Sequence, residues 1–311
     1  MTPHRLVAAL AAMLAAATGA ACGSDDGAAQ DASGGRAVVV ATTTQVADLA
    51  REVAGDRAEV RQILKATSDP HEYEPRPSDV KAISGAAVVL RSGGDLDEWL
   101  DDVLQNAGGD ATTLTLIDSV RTLEGEGETD PHWWQDPRNA ITAVETIRDA
   151  LISADPEARG AYTANAAAYV VELRALDRTI ARCMDRIPSS RRKLVTDHDA
   201  LGYYAARYDI DIVGTVIPSL STQAQASAGE TARLARTIRA AGVTTIFPAS
   251  SASAKLARAI GREADADVGP ALYADSLGAA GTAGETYVRS MQANTRALVT
   301  GFSGGRQSCR F

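Results

Sequence analysis

The sequence predicts an α/β protein of two lobes, each with a four-stranded parallel sheet flanked by helices, joined by one long rigid helix. Three observations predict it. Aromatic residues make up only 5% of the chain, so the core is built from Ala, Val, Leu and Ile, which suits helices on parallel sheet. Short β-branched runs alternate with amphipathic stretches over residues 37–117 and again over 193–272, the mark of parallel sheets. Between the two series, residues 156–187 hold a single glycine, Gly160, and run from Pro156 to Pro188. A helix of that length spans about 45 Å at 1.5 Å per residue.

The elements follow in order. Residues 37–42 read as a buried strand, and Val46, Leu49, Ala50 and Val53 face one way on a helix closed by Gly55. Further strands are expected at 60–64, 86–90 and 114–117, with helices opened by Ser78 and over 95–105. The acidic stretch Glu124-Gly125-Glu126-Gly127-Glu128 reads as a solvated, flexible loop, and 139–153 as a helix. The second series places strands at 193–196, 211–216, 243–247 and 267–272 and helices at 200–208, 227–241, 253–264 and 283–301. The resulting division is a signal peptide at 1–21, a flexible tether at 22–36, an N-terminal lobe at 37–155, a connecting helix at 156–187 and a C-terminal lobe at 188–311.

Arg5, an apolar run over 6–17 and small residues up to Ala21 form an export signal, too short to span a bilayer as a lasting helix. Small residues directly before Cys22 resemble the bacterial lipoprotein signal, although Gly19 stands where Leu is usual. The resemblance implies lipid on Cys22 and an extracytoplasmic chain anchored to the cell membrane; plain secretion is the alternative. Two cysteines then remain, Cys183 and Cys309. An even remainder in an oxidising compartment points to a disulfide, with two free thiols as the other reading. The balance of 31 basic against 40 acidic residues, with no long block of like charge, argues against nucleic-acid binding.

His4 falls in the signal, which leaves His71, His132 and His198, 61 and 66 residues apart. Each follows an expected strand, and ligands of open parallel sheets collect just beyond the carboxyl ends of strands. His132 also lies between Asp130 and Asp136, two prolines and two indoles, in a stiff apolar loop that suits a metal ligand. Trp133, Trp134, Tyr203 and Tyr204 serve equally as core or as a dry shell. Asp69, Asp130 and Asp136 either hold imidazole tautomers or do turn chemistry.

Four stretches carry a resemblance. Asp69-Pro70-His71-Glu72-Tyr73-Glu74-Pro75, Asp130-Pro131-His132-Trp133-Trp134-Gln135-Asp136-Pro137, His198-Asp199-Ala200-Leu201-Gly202-Tyr203-Tyr204 and Tyr273-Ala274-Asp275-Ser276-Leu277 stand in this order. They resemble the ligand motifs of substrate-binding lipoproteins from zinc and manganese ABC importers. The resemblance implies His71, His132, His198 and Asp275 as ligands of a transported divalent metal, and an ABC permease with its ATPase as partners of a monomer. Three imidazoles and one carboxylate suit Zn²⁺. Mn²⁺, which favours more oxygen, comes next, and iron stays open. Relatives usually carry an acid near Ala249, absent here, which puts one hydrogen bond close to the site in doubt. An exported zinc hydrolase working through a metal-bound water is the competing reading. No His-Glu-x-x-His pair or Gly-x-Ser-x-Gly elbow supports it.

Overall fold

The first sheet is built from β1 (Ala37–Ala41), β2 (Ala58–Gln62), β3 (Val88–Arg91) and β4 (Thr112–Thr115). All pairings are parallel and the order is β2-β1-β3-β4. The structure, a computed structural model, describes residues 36–311 apart from Glu126. The export signal, Cys22 and the tether up to Gly35 lie outside the described residues. Consecutive residues Val39 and Val40 are both fully buried, on opposite faces, because helices cover the sheet on each side. On one face lies α1 (Thr44–Ala54), where Thr43 accepts the Val46 N–H and Gly55, at φ +55°, ends the helix. On the other lie α2 (Pro77–Ser84) and α3 (Trp99–Ala107), which bring Ile83, Leu100 and Val103 against Val40.

Leu116 and Ile117, expected to end the fourth strand, instead form a 3₁₀ turn over Leu116–Ser119. Both are buried, so the apolar run continues while the backbone leaves the sheet. The acidic stretch expected to be a flexible loop is a hairpin of β5 (Glu124–Gly125) and β6 (Glu128–Thr129). Next come α4 (Pro137–Ala154), opened by Pro137 with Asp136 capping the Arg138 N–H, and the long α5 (Arg159–Asp185). At 27 residues, α5 spans about 40 Å and packs on α1 and α4.

The second series gives β7 (Lys193–Thr196), α6 (Gly202–Tyr208), β8 (Asp211–Thr215), α7 (Ala228–Ala241), β9 (Thr245–Ile246), α8 (Lys255–Ala264) and β10 (Asp267–Val268). β7 pairs with β8 and β9 with β10, all parallel. The two pairs meet where Phe247 N–H donates to Val195 at 2.9 Å, and Ala249 bridges Leu272 further on. β9 and β10 are shorter than expected because Pro248 and Pro270 follow closely and cannot donate to a ladder. The last helix, α9 (Tyr287–Ser303), returns to α5 and α1, where the Tyr287 N–H donates to the buried Asp48 carboxylate at 2.7 Å. A disulfide joins Cys183, near the end of α5, to Cys309 beyond α9. Arg36–Phe311 form one compact unit, and a single large core draws on both series of strands. Among the described residues no helix is long and apolar enough to cross a membrane.

Candidate metal centre

Each candidate ligand sits on a loop that leaves the sheets. His71 follows β2, His132 precedes a 3₁₀ turn at Trp133–Gln135, His198 lies two residues past β7, and Asp275 follows the Ala249–Leu272 bridge. The structure brings all four together: one ligand atom from each lies within 4.8 Å of the others. The Nε2 atoms of His198, His132 and His71 stand 3.1, 3.5 and 3.9 Å from Asp275 Oδ1. The three ring centroids are 5.4–5.5 Å apart. Donors that each bind one ion at about 2.0–2.2 Å must lie roughly this close to one another.

All four inward atoms, the three Nε2 and Asp275 Oδ1, are buried and, among the described residues, have no hydrogen-bond partner. Buried polar atoms are normally satisfied, and four converging on one point form the arrangement that a bound cation would satisfy. Electrostatics agree. Burial and the neighbouring His132 pull His71 down to about 3. Burial also opposes charge on His198, but Asp275 and Asp197 outweigh it and push His198 up to about 10. Asp275 is itself desolvated, yet the imidazoles hold it well below the usual carboxylate range.

Outside the ligands, the three aspartates divide between the two roles open to them. Asp130 Oδ1 accepts from the His132 ring at Nδ1, 2.8 Å away, and from its backbone N–H, leaving Nε2 free to face inward. Gly202 is required beside it, because a Cβ there would lie 2.7 Å from Asp130 Oδ2. Asp69 accepts the His71 backbone N–H, and Asp136 caps α4 and pairs with Arg138, both turn and cap chemistry. Trp134 and Gln135 both donate to the carbonyl of Ala274, clasping the loop that carries Asp275. Trp133 and Trp134 are fully buried, and the Trp134 ring lies 5.5 Å from that of His132.

The residue that sequence reasoning missed is Ser251. Its hydroxyl donates to Asp275 Oδ2 at 2.9 Å, which leaves Oδ1 to point at the imidazoles. The sequence flagged this stretch only through a hydrogen bond near the site left in doubt at Ala249, and nothing in it singled out Ser251. Above His71 opens a cavity of about 320 Å³, whose wall includes Tyr73, Trp99, Asp95, Glu98 and Glu128.

Fold and site together define an α/β protein built around a buried His₃Asp cluster that could hold a metal ion. The family described as "ZnuA: Zinc-uptake complex component A periplasmic" matches residues 39–301. The chain belongs to this family. It is 31% identical over 267 residues to the manganese-binding lipoprotein MntA of Halalkalibacterium halodurans, covering 85% of this chain and 88% of that protein. It is 30% identical over 268 residues to the iron-binding protein YfeA of Yersinia pestis, covering 85% and 86%. Among solved structures, the periplasmic zinc-binding protein TroA of Treponema pallidum superposes with a TM-score of 0.81 at 27% identity, covering 86% of this chain and 99% of that one. The chain is therefore a substrate-binding component of metal transport and not an enzyme.

Proposed function

We propose that the chain captures a divalent metal outside the cytoplasm, with zinc preferred and manganese next, and delivers it to an ABC permease. His71, His132, His198 and Asp275 are its four ligands, lipid on Cys22 holds it at the membrane, and residues 37–155 and 188–311 act as the two lobes around the ion. The observation that carries the reading is the set of four buried, unpartnered donor atoms around one point. Three nitrogens and one oxygen favour zinc over manganese, which prefers oxygen-rich sites. MntA is named for manganese, YfeA for iron and TroA for zinc, so relatives support a metal cargo and leave the choice to the donor set.

Elemental analysis of protein purified without added metal tests this directly. One equivalent of zinc is expected, and His198→Ala is expected to lose it, with affinity lower by more than about 100-fold, the upper end of what losing a mere supporting residue costs. Unchanged metal content in that variant sinks the ligand assignment. A manganese content above zinc reverses the preference.

A further inference from the structure

We infer that the basic surface around the Cys183–Cys309 disulfide is a docking site for anionic phospholipid headgroups. The inference does not depend on the metal site. The chain as a whole carries nine more acids than bases, yet the segment from Arg178 to Lys193 holds six cationic side chains against one acid, Asp185. Arg182, Arg186, Arg306 and Arg310 line a wide cavity of about 900 Å³ beside the disulfide. A second cavity of about 300 Å³ shares Arg306 and adds Arg191 and Lys193. Arg306 borders both, and among the described residues no acidic side chain lines either.

These cations are free to meet an anion. Arg91, Arg138 and Arg207 sit in ion pairs with carboxylates. Arg192, buried in the same segment, pairs with Asp185 and Asp209 and is not part of the surface. Among the described residues none of the cavity-lining Arg182, Arg186, Arg191, Lys193, Arg306 and Arg310 sits in such a pair. What hydrogen bonds they have go to neutral groups: Arg186 to the Ser308 carbonyl at 2.6 Å, Arg182 to the Thr179 hydroxyl at 2.7 Å and Lys193 to the Ala241 carbonyl at 2.7 Å. Each guanidinium keeps donors in reserve, in the planar fork that suits phosphate. The disulfide and a Gln307 bond to the Arg186 carbonyl fix the tail against α5, so its arginines are positioned beforehand.

A membrane fits better than a single phosphate because the donors spread over two cavities that share Arg306. Phe311, 40% exposed with the Arg296 guanidinium 5.1 Å from its ring centre, adds an apolar side chain beside the cations, the pairing that interfacial segments use. Clustered Lys and Arg near an anionic leaflet each contribute roughly fivefold to binding.

Because Arg36–Phe311 is a compact unit with its own core, it can be tested without signal or lipid. The fragment is expected to sediment with phosphatidylcholine vesicles containing phosphatidylglycerol, not with phosphatidylcholine alone, and added salt should release it. A variant combining Arg182→Gln, Arg186→Gln, Arg306→Gln and Arg310→Gln should bind at least about 100-fold more weakly, with unchanged melting and metal content. Equal retention on neutral vesicles, or an undiminished variant, overturns the proposal. So does release by inorganic phosphate at an ionic strength where chloride has no effect, which indicates a free-anion pocket. Binding to polyglutamate but not to vesicles assigns the surface to an acidic protein partner and overturns it too.

Discussion

Ser251 is where a single hydroxyl sets the orientation of the candidate fourth ligand, Asp275. Its bond to Asp275 Oδ2 fixes which carboxylate oxygen faces the imidazoles, as Asp130 fixes the face of His132. Ser251→Ala is expected to weaken zinc binding by about 10–100-fold, the usual cost of losing a supporting partner, with little change in melting. Titration calorimetry against a competing chelator checks it, and a wild-type affinity removes Ser251 from the site. The three histidines that converge were legible because motifs with bracketing prolines and aromatics carry their own context. Ser251 was not, since a serine in the run Ala249-Ser250-Ser251-Ala252-Ser253 has no spacing or pattern to distinguish it. Only the fold shows which of those hydroxyls reaches Asp275.

At the scale of elements, the contact between α1 and α9 carries a pH dependence. Burial pushes Asp48 from 3.8 up to about 6, against the opposing hydrogen bond from the Tyr287 N–H, with Glu52 adding to the rise. A carboxyl raised in the folded state binds its proton more tightly there than in the unfolded chain. Its contribution is fully present below 3.8 and is lost as pH climbs through about 6. The loss amounts to about 3 kcal/mol. Asp48→Asn keeps an acceptor for Tyr287 and removes the charge. Urea unfolding at pH 7.5 should find the variant more stable than wild type, and at pH 4 the two should converge; parallel curves at both pH values contradict this. Most element positions were readable from periodicity. Boundaries failed where an apolar run outlasts its strand, as at Leu116 and Ile117, or where proline truncates the ladder, as at Pro248 and Pro270.

For the molecule as a whole, the question is how far the halves on either side of the site can separate. Trp134 and Gln135 are tied to Ala274, Leu277 to the Thr44 hydroxyl, and the Tyr287 hydroxyl to the Trp134 carbonyl, all in buried positions. α5 packs along α1, α4 and α9 at once. Wide opening breaks several of these bonds and leaves their groups unsatisfied, at about 1–3 kcal/mol each. Small-angle scattering with and without zinc is therefore expected to show the same radius of gyration; a clear expansion on metal removal contradicts it. The alternating pattern foretold the first four-stranded sheet and the parallel pairing of the second series. It did not foretell that the second series divides into two-stranded pairs linked by an isolated bridge. Nor did it foretell that α9, last in sequence, returns to α1 and α5, because an apolar helix face does not name its neighbour. The placement of the indoles has a practical consequence. The chain has three tryptophans, and Trp133 and Trp134 adjoin His132 while Trp99 lines the cavity above His71. Intrinsic emission therefore reports almost wholly on this one region. Adding zinc should change its intensity without any label, and a silent spectrum in a chain that demonstrably loads zinc would mean that the ion settles elsewhere.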